Sequence, residues 1–163
     1  MASADELVDV VDEEDRVIGV TTRSAMRSGR LRHRTAFVLV WSPTGEVLVH
    51  RRAQDKDVWP GRWDLAAGGV LARGESYDDG AARELAEELG ITGVPLHPLG
   101  RGRYEDADVA EIAAVYGVTW DGPVLFTDGE VAEARWVSAV ELATMVRSLP
   151  FAPDSIELVL PHV

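Results

Sequence analysis

The chain has 163 residues, enough for one well-buried core, and its 46% hydrophobic and 27% charged residues are ordinary for a globular protein. The net charge of −12 argues against nucleic-acid polymers as partners, because their binding depends on basic residues that neutralise phosphates. No apolar run approaches the about 18 residues of a membrane span, and the acidic start lacks a signal-peptide pattern. Cysteine is absent, which excludes disulfides and thiol nucleophiles. We expect a single cytoplasmic domain over residues 1–163 that has no membrane partner.

The first third of the chain predicts strands and one short helix. Apolar runs at Leu7–Val11 and Arg16–Val20 flank the acidic turn DEED and predict a β-hairpin. Arg23–Ser28 favours one or two helical turns. The β-branched and aromatic run Thr35–Trp41 predicts a buried strand, and a Pro-Thr-Gly turn joins it to Glu46–Arg52, its expected antiparallel partner.

After a weaker strand candidate at Trp63–Ala67, the apolar period changes from two to 3.6. Apolar residues along Tyr77–Leu89 form one stripe, which predicts an amphipathic helix with Ser76 as its N-cap and Gly90 as its stop. The rest of the chain predicts three strands and two helices, at Val94–Tyr104, Glu111–Thr119, Ala134–Val137, Ala139–Arg147 and Pro153–Leu160. The domain is therefore expected to be mixed α/β.

Three glutamates crowd the end of this helix. At 100° per residue, Glu84, Glu87 and Glu88 project from one face, roughly opposite the apolar stripe. Like charges at these spacings destabilise a helix by a few tenths of a kcal/mol per pair, so a compensating charge is expected. Mg²⁺ prefers oxygen ligands and often combines carboxylates with substrate phosphates. A solvated acidic face without a ligand is the alternative reading.

The residues around the cluster form a longer pattern. Gly69, Glu75 and the run RELAEELGI (83–91) occupy the fixed positions of the Nudix box, so segment 69–91 resembles that motif of the Nudix hydrolases. The resemblance implies an α/β/α sandwich with a mixed β-sheet, here preceded by an N-terminal hairpin extension over residues 1–34. It also implies Mg²⁺-dependent hydrolysis of a diphosphate linkage in a small phosphorylated substrate.

The resemblance also implies a role for each box residue. Nudix enzymes hold Mg²⁺, or sometimes Mn²⁺, through glutamates and often a backbone carbonyl, which here correspond to Glu84, Glu87, Glu88 and Gly69. Glu75 is expected near the site, and Arg83 is expected to pair with a box glutamate and hold it in position. The general base varies among these enzymes. Glu87 and Glu88 are candidates, and Glu111 is a candidate outside the box, unless it is a solvated strand end.

Residues that contact the substrate are harder to predict. Arg51, Arg52 and Arg62 could receive phosphates, since guanidinium matches phosphate geometry, or could counter the acidic surface. Trp59 and Trp63 in the segment WPGRW could pack a base or a prenyl-like group, or could anchor a loop in the core.

Two other functions compete with hydrolysis. The stretch RRAQDKDVWPGRWD is similar to isopentenyl-diphosphate isomerase, a relative that needs a cysteine where this chain has Leu65–Gly68. The chain therefore resembles an isomerase-like branch of the hydrolases. A Nudix module that binds a ligand without turnover is the third class, although such modules usually lose box glutamates. The substrate stays open among nucleoside di- and triphosphates and other small organic diphosphates, and so does homodimerisation through the extension.

Overall fold

The computed structural model describes residues 3–163, so residues 1 and 2 of the predicted extension 1–34 lie outside the described residues. The predicted hairpin is confirmed: β1 (Leu7–Val11) pairs antiparallel with β2 (Val17–Thr22) in a small separate sheet. The helix α1 (Arg23–Ser28) follows at once and keeps its predicted bounds. Its first turn is capped by the Thr22 hydroxyl, which accepts a hydrogen bond from the Ala25 amide.

A mixed sheet forms the centre of the molecule. Within residues 3–163 it has seven strands: β3 (His33–Trp41), β4 (Val47–Arg52), β5 (Trp63–Asp64), β6 (Ala67–Val70), β7 (His97–Glu105), β8 (Ala110–Thr119) and β9 (Val131–Val137). β3 pairs parallel with β8 along its whole length, and the other pairings are antiparallel.

The predicted antiparallel pairing of Glu46–Arg52 with Thr35–Trp41 is confirmed, but it is confined to Val47 and Trp41. β6 pairs with residues 35–38 of β3, and the rest of β4 pairs with β9. The expected single strand Trp63–Ala67 is two strands with different partners. The chain leaves β4 at Leu65, whose amide donates to the Ser155 hydroxyl, and then joins β3.

The helices follow their capping signals. The helix α2 (Tyr77–Leu89) begins after Ser76, whose hydroxyl accepts from the Asp79 amide, and ends at Gly90 in the left-handed region with φ 67°. The helix α3 (Ala139–Ser148) closes the opposite side. The segment predicted to be helical over Pro153–Leu160 is helical: residues 153–154 are α-helical, 155–159 form a π-helical turn and 160–162 form a 3₁₀ turn. Among helices of the described residues, none has the length and apolar character to cross a membrane.

Strand β3 separates two apolar cores. Ala36, Val38 and Val40 face the core beneath α2, whereas Phe37 and Leu39 face the core beneath α3 and the C-terminal turns. This alternation is the period of two expected for a strand buried on both faces. Helices therefore cover both sides of the sheet, which confirms the predicted α/β/α sandwich.

Candidate metal centre and substrate cleft

The acidic face of α2 is buried rather than solvated. Glu84 and Glu88 lie one turn apart and point at β6, where they are only 6% and 2% exposed. A Cβ at Gly69 would lie 2.6 Å from Oε1 of Glu84, and the Gly68 amide donates to Oε2 of Glu88 at 3.3 Å. Gly69 therefore leaves the space that the Glu84 carboxylate occupies, and the Gly68 amide holds the Glu88 carboxylate. The reading of a solvated acidic face is wrong for both glutamates.

A third carboxylate reaches the same point from the far end of the chain. Carboxylate oxygens of Glu84, Glu88 and Glu130 lie within 4.8 Å of one another. Glu130 immediately precedes β9, and sequence reasoning missed it because no spacing rule links it to the box. Glu87 lies outside this group with its side chain 38% exposed, and it accepts a hydrogen bond from Arg83 at 3.2 Å.

Arg83 ties the box glutamates together. Its Nε and Nη2 each donate to Glu75 at 2.8 Å, and its Nη1 donates to Glu84 at 2.8 Å. Nη2 also donates to the carbonyl of Val70 on β6. The fork of one guanidinium thereby connects the loop, the strand and the helix of the box, which is the holding arrangement that the box resemblance implies.

Lys56 occupies the other side of the carboxylate group. Its Nζ donates to Glu130 at 2.9 Å and lies 4.0 Å from Glu88. It is the sole lysine of the sequence, among 16 basic residues, and that rarity was the available signal. His50 lies 3.8 Å from Glu88, but burial lowers the pKa of His50 to about 4, so it adds no charge at neutral pH.

Burial opposes the ionisation of these carboxylates more strongly than their basic neighbours favour it. Burial raises the pKa of Glu84 to about 7 although Arg83 acts in the opposite direction. Burial also raises the pKa of Glu88 well above its ordinary value, against the opposing effect of Lys56. A cation would favour their ionised form, and clustered oxygen donors of this kind match what Mg²⁺ requires. The residues present therefore fit the ion that the box resemblance implies.

Glu111 lies in a second polar pocket, and the reading of a solvated strand end is wrong because the residue is 3% exposed. It borders a cavity of about 40 Å³ whose wall also includes Trp59, Gly69 and Asp154. Burial, reinforced by the Asp154 carboxyl, raises the pKa of Glu111 well above its ordinary value, and burial raises that of Asp154 to about 7. Within residues 3–163, Glu111 Oε1 has no hydrogen-bond partner. Asp154 had no signal in the sequence.

A larger cleft of about 410 Å³ adjoins the carboxylate group. Its wall includes Glu130 and Lys56 together with Arg23 and Arg27 of α1. Both arginines donate through Nε to Oδ2 of Asp57 at 3.1 Å. The segment before β3 thus reaches the site, which the sequence did not indicate.

The residues predicted to contact substrate are dispersed. Arg51 pairs with a surface glutamate on β9, and Arg62 donates to a backbone carbonyl, so neither lines the larger cleft. Arg52 pairs with Asp64 beneath the smaller cavity, which Trp59 also borders. Trp63 is 6% exposed and packs in the core.

Comparison with known proteins agrees with this arrangement. A model of the NUDIX domain matches residues 31–159. The chain is 41% identical over 156 residues to an uncharacterized Nudix hydrolase of Pseudomonas aeruginosa, covering 96% of this chain and 92% of that one. A crystal structure of the Deinococcus radiodurans protein DR0079 superposes with a TM-score of 0.80 at 25% identity, covering 96% and 98% of the two chains.

A more distant neighbour is the Nudix domain of NrtR from Shewanella oneidensis, solved in complex with ADP ribose. It superposes with a TM-score of 0.65 at 18% identity, over 78% of this chain and 84% of that one, and so shows the fold alone. The sandwich and the box define a protein of the Nudix class. The chain belongs to the Nudix family, as its box predicted, and its hydrolase relatives match it over nearly its whole length.

Proposed function

We propose that this protein is a Mg²⁺-dependent hydrolase that cleaves a diphosphate linkage in a nucleoside di- or triphosphate or another small organic diphosphate, by attack of water at phosphorus. One observation supports this most: Glu84, Glu88 and Glu130 converge within 4.8 Å, and Glu130 also borders a cleft lined by arginine and lysine. A cation among the carboxylates and an anionic substrate in the cleft would lie side by side. Mn²⁺ is the alternative cation.

Different residues of the chain would bind the ion and hold its ligands in position. We assign as ligands of the ion the carboxylates of Glu84, Glu87, Glu88 and Glu130 and the backbone carbonyl of Gly69. Bound there, Mg²⁺ supplies neutralisation of the diphosphate charge and activation of water. Arg83 and Glu75 hold Glu84 in position through the hydrogen bonds described above. Arg52 and Trp59 border the smaller cavity, whose volume of about 40 Å³ has room for about one water molecule beside Glu111.

A carboxylate must accept the proton of the attacking water. Glu87 and Glu88 lie on α2, and Glu111 reaches the box strand from the smaller cavity, whose wall includes Gly68 and Gly69. A general base gives the acidic limb of the pH–rate profile. The glutamine variant that removes this limb, among Glu87→Gln, Glu88→Gln and Glu111→Gln, identifies the base.

A panel of nucleoside and organic diphosphates with Mg²⁺ tests the function, with phosphate products as the readout. We expect Glu88→Gln and Glu130→Gln to lower turnover by at least about 100-fold while the protein stays folded. Glu133→Gln, which removes only the surface partner of Arg51, is the matched control and should keep wild-type turnover. Full Mg²⁺-dependent turnover in folded Glu88→Gln and Glu130→Gln would contradict the assignment.

The same panel separates the two competing functions. Conversion of isopentenyl diphosphate to its allylic isomer without phosphate release would identify an isomerase, although the chain has no cysteine for that chemistry. Tight binding of a diphosphate without any product would identify a binding module. The complete set of box glutamates and the buried carboxylate group favour hydrolysis over both.

A further inference from the structure

The larger cleft is built in part by the segment that precedes the family match. This cleft has a volume of about 410 Å³. The NUDIX match begins at residue 31, whereas Arg23 and Arg27 lie on α1. Their side chains are only 12% and 18% exposed, although guanidinium groups ordinarily lie in solvent. The N-terminal segment therefore places two largely covered cations beside the proposed active site.

One carboxylate serves both arginines. Nε of Arg23 and Nε of Arg27 donate to the same oxygen of Asp57, each at 3.1 Å. Among the described residues, the side-chain hydrogen bonds of both arginines run through Nε alone, which leaves Nη1 and Nη2 of each for a ligand. Guanidinium nitrogens bind phosphate oxygens in pairs, so the cluster has the donors and one surplus positive charge for a phosphoryl group.

Lys56 links this cluster to the carboxylates. Its ammonium neutralises Glu130 at 2.9 Å, and Arg23 acts on Glu130 as well. A cation that binds Glu130 would replace Lys56 there, and the released ammonium would add a second positive charge to the cleft. Asp55 also borders the cleft, but it is exposed, so solvent screens its charge. The cleft thus matches a doubly charged anion when the cation is present.

We propose that Arg23, Arg27 and Lys56 bind the terminal phosphoryl group of the substrate, so that the enzyme selects diphosphates and triphosphates with a free end over diphosphates substituted at both ends. This rests on the proposed function. A terminal phosphoryl group carries about two negative charges at neutral pH, whereas each phosphorus of a doubly substituted diphosphate carries one. ADP ribose, the ligand of the Shewanella neighbour, belongs to the second class.

Calorimetry with two probes that cannot be hydrolysed tests this selection: methylenediphosphonate and its P,P′-dimethyl ester, each with Mg²⁺. The wild-type protein should bind the free diphosphonate at least about tenfold more tightly than the ester. In Arg23→Gln/Arg27→Gln, binding of the free diphosphonate should weaken at least tenfold and the preference should disappear. Arg51→Gln, which removes a surface arginine, should leave both affinities unchanged.

Asp57→Asn separates ligand binding from a structural role of the arginines. Without the carboxylate that competes for them, both guanidinium groups should bind the free diphosphonate more tightly than in the wild type, by severalfold. A loss of affinity in Asp57→Asn would mean that the cluster only holds α1 in place and would overturn the proposal. Asp57→Asn also keeps the proposal testable if the double arginine variant fails to fold.

Other outcomes are equally distinct. Equal affinity of the wild-type protein for the two probes, or wild-type affinity in the double variant, would overturn the terminal-phosphoryl site. Hydrolysis of diphosphates without this selectivity would leave the proposed function standing and remove only the present inference. Selective binding without hydrolysis of any diphosphate would support the site and contradict the proposed function.

Discussion

Gly69→Ala tests how closely β6 holds the carboxylate of Glu84. The added Cβ would lie 2.6 Å from Oε1 and 2.8 Å from Cδ of Glu84, well inside van der Waals contact. The backbone of Gly69 is not in the left-handed region, so alanine adds no strain of its own. The carboxylate must therefore move, while the carbonyl of residue 69 is retained.

The expected effect follows from what Glu84 loses. Its 2.8 Å hydrogen bond from Arg83 is between charged groups, which typically contribute about 1.5–3 kcal/mol. Changes in the residues that orient a metal ligand typically reduce metal affinity about 10- to 100-fold. We expect the Kd for Mg²⁺ to rise by that factor, which is about 1.4–2.8 kcal/mol of binding free energy.

Stability without the ion should change much less. Replacing glycine by alanine restricts the unfolded chain and contributes about 0.4–1 kcal/mol, which partly offsets the steric cost of moving the carboxylate. Titration calorimetry with Mg²⁺ and Mn²⁺, together with the Tm of the metal-free protein, separates the two effects. Gly19→Ala is the matched control, because its nearest atom lies at 4.0 Å, an ordinary contact. Wild-type Mg²⁺ affinity in a folded Gly69→Ala protein would refute the reasoning.

Two further predictions concern charge. Arg83→Gln removes the ion pair that opposes the burial of Glu84, so the pKa of Glu84 should rise above about 7. Mg²⁺ binding by this variant should then weaken more than tenfold at pH 7 and recover by pH 9. Calorimetry at both pH values measures this, and the variant of an exposed arginine, Arg73→Gln, is the control. A loss of Mg²⁺ affinity that does not depend on pH would contradict the prediction. Asp154 has a folded-state pKa of about 7, above its unfolded value, so wild-type stability falls as pH rises from about 4 to 7. Denaturant unfolding should therefore show Asp154→Asn gaining about 2 kcal/mol relative to the wild type between pH 5 and pH 8, and a constant difference would contradict this.

Local signals predicted the elements well. The bounds of Leu7–Val11, Arg23–Ser28 and Tyr77–Leu89 agree with the structure, because alternation and helix caps act over a few residues. Pairing was predicted less well. The turn after Trp41 indicated a hairpin, but β6, which follows β4 in the chain, pairs with residues 35–38 of β3 and leaves β4 only the contact between Val47 and Trp41.

For the site as well, local groupings of residues could be predicted from the sequence and long-range ones could not. Glu84, Glu88 and Arg83 meet because they share two turns of one helix, so their spacing was sufficient to group them. Helix geometry does not show which element covers a helix face, and here β6 covers it, with Gly69 leaving room for Glu84. Glu130 comes from the loop before β9, and Arg23 and Arg27 come from α1, so no local pattern could join them to the box.

The position of Lys56 connects these two groups of residues. Buried carboxylates without a cation are costly, and the fold limits this cost by partial protonation, by the fork of Arg83, and by the ammonium on Glu130. Arg83 also serves Glu75 and so can stay in place when an ion arrives, whereas Lys56 holds Glu130 by one hydrogen bond and can move. A lysine suits this task better than arginine, because a compact ammonium on a flexible stem can pass from carboxylate to phosphate. In a chain that otherwise uses arginine throughout, the single lysine lies at the point where cation and substrate would meet.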